Sequence, residues 1–336
     1  MGRIVLDVGS ETLRLKAPFR ISGHVFESSD VVVVTLRDGD LVGRGEGCGV
    51  YYLDDDVVHM LGEIEAARGA IEAGLTREEL RSVMPPGGGR NAVDCALWEL
   101  DAARAGKSAW ALAGVQLLKP LLTTFTLGAD TPEAMAAGAR RYADARAIKV
   151  KLTGELPLDI ARVAAVRAAR PDIWLGVDGN QGFQRSDLEP LVDALQEHGV
   201  KLLEQPLARG REAELEGFES AIPIAGDESL VSLADLPSAP GRFDVVNIKL
   251  DKCGGLTEGL LMAAEARRLG LQVMVGTMVG TSLSTAPALI LGQQCDIVDL
   301  DGPTFLAADR EPGVDYVDGM VSATPEVWGS GKVLAA

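Results

Sequence analysis

Ala147-Ile148-Lys149-Val150-Lys151-Leu152 ("AIKVKL", 147–152) reads as a β-strand carrying two charges where a core element should be apolar. Side chains alternate faces along a strand, so Lys149 and Lys151 share one face while Ile148, Val150 and Leu152 take the other. On a half-solvated antiparallel sheet this would be an ordinary polar face. The surrounding sequence argues for another kind of sheet. From about residue 120, short apolar runs alternate with alanine-rich amphipathic segments: "TTFTLG", "AIKVKL", "WLGVDGN", "KLLEQPL", "IPIAGDES", "VVNIKLD", "QVMVGTM" and "IVDLDGP". From the second run onward the end residues are Lys151, Asp178, Glu204, Asp227, Lys249, Gly276 and Asp299, spaced 22 to 27 residues apart, one strand–helix unit each. Eight such units predict a parallel α/β barrel, buried on both faces of its sheet, with its functional face at the C-terminal strand ends. A doubly wound open sheet is the alternative, but it would not end nearly every strand in a polar residue.

The 336 residues allow two domains, or one large barrel with an attachment. Residues 1 to about 50 alternate in a strand-like way, with Asp38-Gly39 as the expected hairpin turn. Residues from about 56 to 113 show helical spacing, so the first third is an α+β unit. Its "MPPGGGRN" stretch lacks the phosphate-loop pattern GxxxxGK[ST] and reads as a plain loop. A net charge of −17 argues against nucleic acid as a partner. No apolar run reaches membrane-spanning length, and the N-terminus lacks the apolar core of an export signal. Cys48, Cys95, Cys253 and Cys295 show no CxxC pairing, as expected of reduced thiols in a cytoplasmic protein. His24, His59 and His198 are too scattered for a usual zinc site.

In the mouth of a barrel, Lys149 and Lys151 need negative partners, because an unpaired buried ammonium is costly. "GVDGN", "LLEQP" and "AGDES" supply Asp178, Glu204 and Asp227 on the next three strands. A single carboxylate at a strand end is ordinarily a helix cap or loop anchor. Three that converge repel one another unless a cation lies between them, and an all-oxygen set favours Mg²⁺, with Mn²⁺ as a substitute. Across the barrel, "VVNIKL" places Lys249 opposite Lys151. Such a pair suits removal of a proton from one face of a carbon and its return to the other. The cation would stabilise the enolate, and a lysine of lowered pKa would serve as base.

The motifs "KVK", "VDGNQ", "EQP", "GDES", "NIKLDKCGGLTEG" and "DLDGP" closely resemble the enolase superfamily, muconate-lactonizing-enzyme subgroup, over nearly the whole chain. The resemblance implies a (β/α)7β-type TIM barrel over residues 119–311, with a capping domain over 1–118 that recruits C-terminal residues from about 312 to 336. "MVGTMVGTSLSTAPA" followed by "DLDGP" looks most like the dipeptide epimerases. That likeness implies Lys151 and Lys249 as acid/base catalysts and Asp178, Glu204 and Asp227 as Mg²⁺ ligands. It further implies substrate contacts from Lys149, Thr277 and Met278, support from Asn180 and Glu228, and an α-ammonium receptor formed by Asp299 and Asp301. Carboxylates at i and i+2 of a strand share a face, as that receptor needs, although Asp301 before Gly302-Pro303 could instead anchor a turn. The implied partner is a small dipeptide, in a cytoplasmic enzyme whose oligomeric state stays open.

One departure concerns specificity. Where the resemblance implies "FRISRG", the chain reads "FRISGHVFESS", with Gly23 at the place of a basic residue and Arg20 nearby to compensate. The loop "CGVYYLDDDV" adds Tyr51, Tyr52 and Asp54 to Asp56. A wall of that kind favours a cationic or aromatic side chain over glutamate, unless the aspartates merely cap the helix near Val57. Other reactions remain on the same scaffold: N-acylamino acid racemisation, cycloisomerisation or o-succinylbenzoate synthesis. Outside it stand a Schiff-base aldolase and a barrel kept only for binding.

Overall fold

The computed structural model describes residues 4–331, so the tail of "VWGSGKVLAA" (332–336) lies outside the described residues. An antiparallel sheet opens the chain: β1 (Val5–Ile21), β2 (His24–Asp38) and β3 (Leu41–Cys48). The β1–β2 hairpin turns at Ser22-Gly23, and Gly23 takes φ +71°, a conformation that suits glycine. The second hairpin turns one residue later than the sequence suggested. Asp38 still pairs with Leu41, so the loop is Gly39-Asp40, with the positive φ of Gly39 at its first position.

Four helices follow: α1 (Val57–Glu72), α2 (Arg77–Val83), α3 (Gly88–Ala105) and α4 (Ala109–Leu112). Gly43, Gly45 and Gly47 present a bare face of β3 to α3, where a Cβ on any of them would lie 2.0 Å from a helix carbonyl oxygen. "MPPGGGRN" is therefore more than a plain loop. Its last two glycines form the first turn of α3, and Gly88 leaves room for the Cys48 carbonyl.

After β4 (Leu121–Leu122) comes the barrel: β5 (Phe125–Leu127), β6 (Ala147–Lys151), β7 (Trp174–Asp178), β8 (Leu202–Glu204), β9 (Ile224–Gly226), β10 (Val245–Lys249), β11 (Gln272–Gly276) and β12 (Ile297–Asp299). The eight strands run parallel in sequence order, and Thr124 N donates to Val298 O at 3.0 Å across the seam between β5 and β12. Its helices are α5 (Pro132–Arg141), α6 (Leu156–Ala169), α7 (Leu188–Glu197), α8 (Leu250–Cys253), α9 (Leu256–Arg268) and α10 (Ser282–Gly292). Two expected helices are only 3-10 turns, Glu212–Leu215 and Leu233–Ser238. The first lies between Pro206, Gly210, Gly217 and Pro223, and the second contains Pro237, all poor helix formers. Among the described residues no α-helix follows β12, as the (β/α)7β pattern implies; a 3-10 turn at Gly302–Phe305 stands there.

Inside the barrel, Leu202, Ala225, Val245 and Met274, with Trp174 and Ile297, form an apolar plug below the C-terminal strand ends. The mouth above it carries the charges. A final hairpin, β13 (Asp315–Val317) and β14 (Met320–Ser322), pairs with β4. The chain then docks on the N-terminal unit: Trp328 Nε1 donates to Arg44 O at 2.8 Å and Gly329 N to Glu99 Oε1 at 2.9 Å. All four cysteines are free thiols. Among the described residues no helix is long and apolar enough to cross a membrane.

Candidate active site

Lys151, Asp178, Glu204 and Lys249 are each the last residue of their strand, and Asp227 is one residue beyond β9. All five are buried. Lys151 Nζ donates to Asp178 Oδ2 at 2.6 Å, and Lys249 Nζ donates to Asp227 Oδ2 at the same distance. Between these pairs, Glu204 accepts from Lys149 Nζ at 3.1 Å and from Asn247 Nδ2 at 2.6 Å. The second and sixth strands thus flank Glu204 alike, each with a polar residue deep in the barrel and a lysine at its mouth.

Asp178, Glu204 and Asp227 bring ligand oxygens within 4.8 Å of one another. The buried carboxyl groups at the mouth, these three with Glu228, Asp299 and Asp301, outnumber the buried lysines Lys149, Lys151, Lys249 and Lys252. Burial first, and neighbouring carboxylates next, push the Glu204 and Glu228 carboxyls above their ordinary range. Asn180 Oδ1, Glu228 Oε2, Asn247 Oδ1 and the Tyr52 hydroxyl are buried without a hydrogen-bond partner. An all-oxygen triad, an excess of acidic groups over lysines and these orphaned atoms fit a hard divalent cation.

The side chains by themselves act against the lowered lysine pKa that the sequence suggested with a cation in place. Burial lowers the Lys249 pKa, but Asp227, Glu204 and Glu228 outweigh it and hold the ammonium well above its usual value. Lys149 moves the same way, with Asp299 and Glu204 overcoming burial. Lowering a lysine here would require cationic charge that the side chains do not supply.

The remaining candidates gather around two adjoining cavities. Thr277 and Met278, just past β11, line both of them. Asn180, held at φ 40°, donates its N–H to Asp178 Oδ1 at 2.8 Å and its Nδ2 to Glu228 Oε1 at 3.4 Å. Asp299 and Asp301 line the smaller cavity together, although only Asp299 belongs to the strand. Asp299 is engaged by Lys149 and by Thr124 Oγ1. Asp301 accepts from Thr126 N at 2.6 Å, while its backbone carbonyl, not its side chain, anchors the following turn through Thr304 N at 2.9 Å. Burial and the adjacent Asp299 push the Asp301 carboxyl up.

The acidic run has local duties. Asp56 caps α1, and Asp55 accepts from Gly88 N at 2.8 Å and meets His59 Nδ1 at 3.0 Å. Asp54 ends the turn over Tyr51–Leu53 in a left-handed conformation. Arg20 is exposed and lies outside the cavity lining. Sequence reasoning missed Lys252, which is fully buried with its Nζ on Asp227 Oδ1 at 2.6 Å. Its spacing, three residues after Lys249, was the available signal.

The mandelate racemase / muconate lactonizing enzyme N-terminal domain model matches residues 4–114, and the enolase C-terminal domain-like model matches 134–331. The chain belongs to the enolase superfamily. It is 40% identical to the L-Ala-D/L-Glu epimerase of Escherichia coli over 318 residues, 94% of this chain and 98% of that protein. A crystal structure of an enolase family member from Agrobacterium tumefaciens, with bound sodium and L-Ala-L-Glu, superposes with TM-score 0.94 at 42% identity, covering 97% of this chain and all of that one. The dipeptide epimerase of Methylococcus capsulatus, complexed with Mg and L-Arg-D-Lys, does so with TM-score 0.90 at 30% identity, covering 96% and 98%. This superfamily member is an isomerase of the racemase and epimerase class.

Proposed function

We propose that this enolase-superfamily member is a Mg²⁺-dependent dipeptide epimerase, with Mn²⁺ able to substitute, that inverts the α-carbon of the C-terminal residue by two-base 1,1-proton transfer. The observation that carries this reading is the matched placement of Lys151 and Lys249 on either side of Glu204. Substrates bound by relatives of the same fold support it. Asp178, Glu204 and Asp227 would hold the cation, which when bound supplies positive charge against the negative charge that develops on the substrate carboxylate. One lysine accepts the α-proton and the other delivers a proton to the opposite face. Reversing the roles runs the reaction backwards. Asp299 and Asp301 receive the substrate's α-ammonium, with Asp301 the member that has no lysine contact. Racemisation of an N-acylated amino acid is the second reading, because the Asp299 charge is already met by Lys149.

The test is turnover of a dipeptide library in D₂O, followed by mass spectrometry, with free and N-acetylated members. One deuteron should enter each epimerised free dipeptide. Lys151→Ala and Lys249→Ala should both abolish epimerisation, and one of them should still exchange the α-proton of a single epimer. Near wild-type epimerisation by either variant would refute the two-base assignment. Equal rates on N-acetylated members would favour the second reading.

A further inference from the structure

We infer that the inverted residue of the dipeptide carries a large apolar, preferably aromatic, side chain, held by a wall of Phe19, Phe26 and Tyr51. The inference rests on the dipeptide-epimerase reading and adds its substrate class. A cavity of about 300 Å³ opens from Lys151, Lys249 and Asp227 towards the β1–β2 hairpin and the turn after β3. Phe19, Ile21, Phe26, Tyr51, Val57 and Met278 form its apolar lining. The hairpin builds this wall. Phe19 and Phe26 are direct cross-strand partners, and Ile21 follows Phe19 at the i+2 position on the same face. The Tyr51 ring meets Phe26 edge-on at 5.6 Å, and Tyr52 meets Tyr51 edge-on at 5.1 Å. His24, pairing with Ile21, packs behind Tyr51 at 4.7 Å. Interlocked rings of this kind present a rigid apolar surface at the width of another ring.

Charge selects against the alternatives. The cations lining the cavity are Lys151 and Lys249, each already bonded to a carboxylate, so a glutamate side chain would meet no free partner. Burying a carboxylate unpaired is strongly unfavourable. The lining carboxylates outside the triad each hold a local partner, while Glu228 keeps one oxygen, Oε2, without one. Asp30 accepts from Thr12 Oγ1 at 2.6 Å, Asp55 and Asp56 hold α1 and α3, and Glu228 takes Asn180. A lysine or arginine side chain would share those oxygens with their present partners or take Glu228 Oε2, whereas an aromatic side chain is met by the ring wall itself.

The experiment measures kcat/KM for L-Ala-L-Xaa with Xaa as Phe, Tyr, Leu, Glu, Lys or Arg, for the Mg²⁺-loaded wild type and for Phe26→Ala. Phe and Tyr should exceed Glu, Lys and Arg by about tenfold or more, the discrimination an apolar pocket provides. In Phe26→Ala the ratio of Phe to Leu should fall, chiefly through KM. Preference for Glu, or for Lys and Arg, would overturn the inference while leaving the epimerase reading intact. No turnover of any dipeptide would overturn both.

Discussion

Lys252→Met tests whether a lysine with no access to substrate still governs the metal site. The Lys252 ammonium is fully buried and donates to Asp227 Oδ1 at 2.6 Å, Asp227 O at 2.5 Å, Asn247 O at 3.0 Å and Leu230 O at 3.1 Å. Methionine keeps the bulk and removes the charge. Asp227 then loses one of its two lysine partners, and the Asn247 and Leu230 carbonyls lose a donor in a dry site. Breaking a buried pair in this way costs about 3–5 kcal/mol. That is a large part of a domain's stability of about 5–15 kcal/mol, and at roughly 2 °C per kcal/mol it lowers Tm by about 6–10 °C. Asp227 would also lose the contact that orients it. Losing an outer partner of a ligand weakens metal binding about 10- to 100-fold. Thermal unfolding gives the first quantity and isothermal titration with Mg²⁺ the second, with Lys201→Met at an exposed position as control. A Tm within 1 °C and an Mg²⁺ Kd within about twofold of wild type would refute the reasoning.

Glu204→Gln should weaken Mg²⁺ binding by at least about tenfold and abolish epimerisation; full turnover by this variant after exhaustive chelation would remove the metal from the mechanism. Asp251 should give the fold a distinctive pH response. Burial pushes its carboxyl up to about 6, against lowering by the Cys48 N–H and by Asn91. The folded state therefore binds the proton more tightly, and this contribution to stability is present below about pH 4 and lost as pH rises through about 6. Asp251→Asn should flatten that response, so its stability relative to wild type improves between pH 4.5 and 7.5 by up to about 2 kcal/mol in urea titrations. A constant difference across that range would contradict the assignment.

Much of this site was legible because a parallel barrel writes its mouth into the sequence. Each strand is an apolar run, so the residue that breaks it marks the strand end, as Lys151, Asp178 and Glu204 do. What stayed hidden depends on contacts between distant segments. The two short 3-10 connections kept the strand spacing of helices, so the repeat did not betray them. The role of the β3 glycines depends on α3 lying against them, a contact between segments about 50 residues apart. For the run Asp54 to Asp56 the sequence offered two uses, a wall facing the substrate or a cap on the helix near Val57, and Asp56 takes the second. Only the positions of Gly88 and His59 show where two of those carboxylates are spent. The orphaned Tyr52 hydroxyl has no signature in the linear sequence at all.

The docking of Trp328 and Gly329 onto Arg44 and Glu99 has a consequence for synthesis of the chain. Glu99 is buried beside Arg44, and the backbone N–H that completes its shell is 230 residues downstream. At ribosomal rates of about 5–20 residues per second, that donor arrives on the order of 10–50 s after Glu99 has been made. Throughout that interval Glu99 and the Arg44 carbonyl lack the Gly329 and Trp328 donors that meet them in the finished fold. The barrel is completed, from β5 to β12, before the unit that covers it can be sealed. Ribosome-bound chains ending before Val327 should therefore be the species most readily retained by chaperones and cut by proteases.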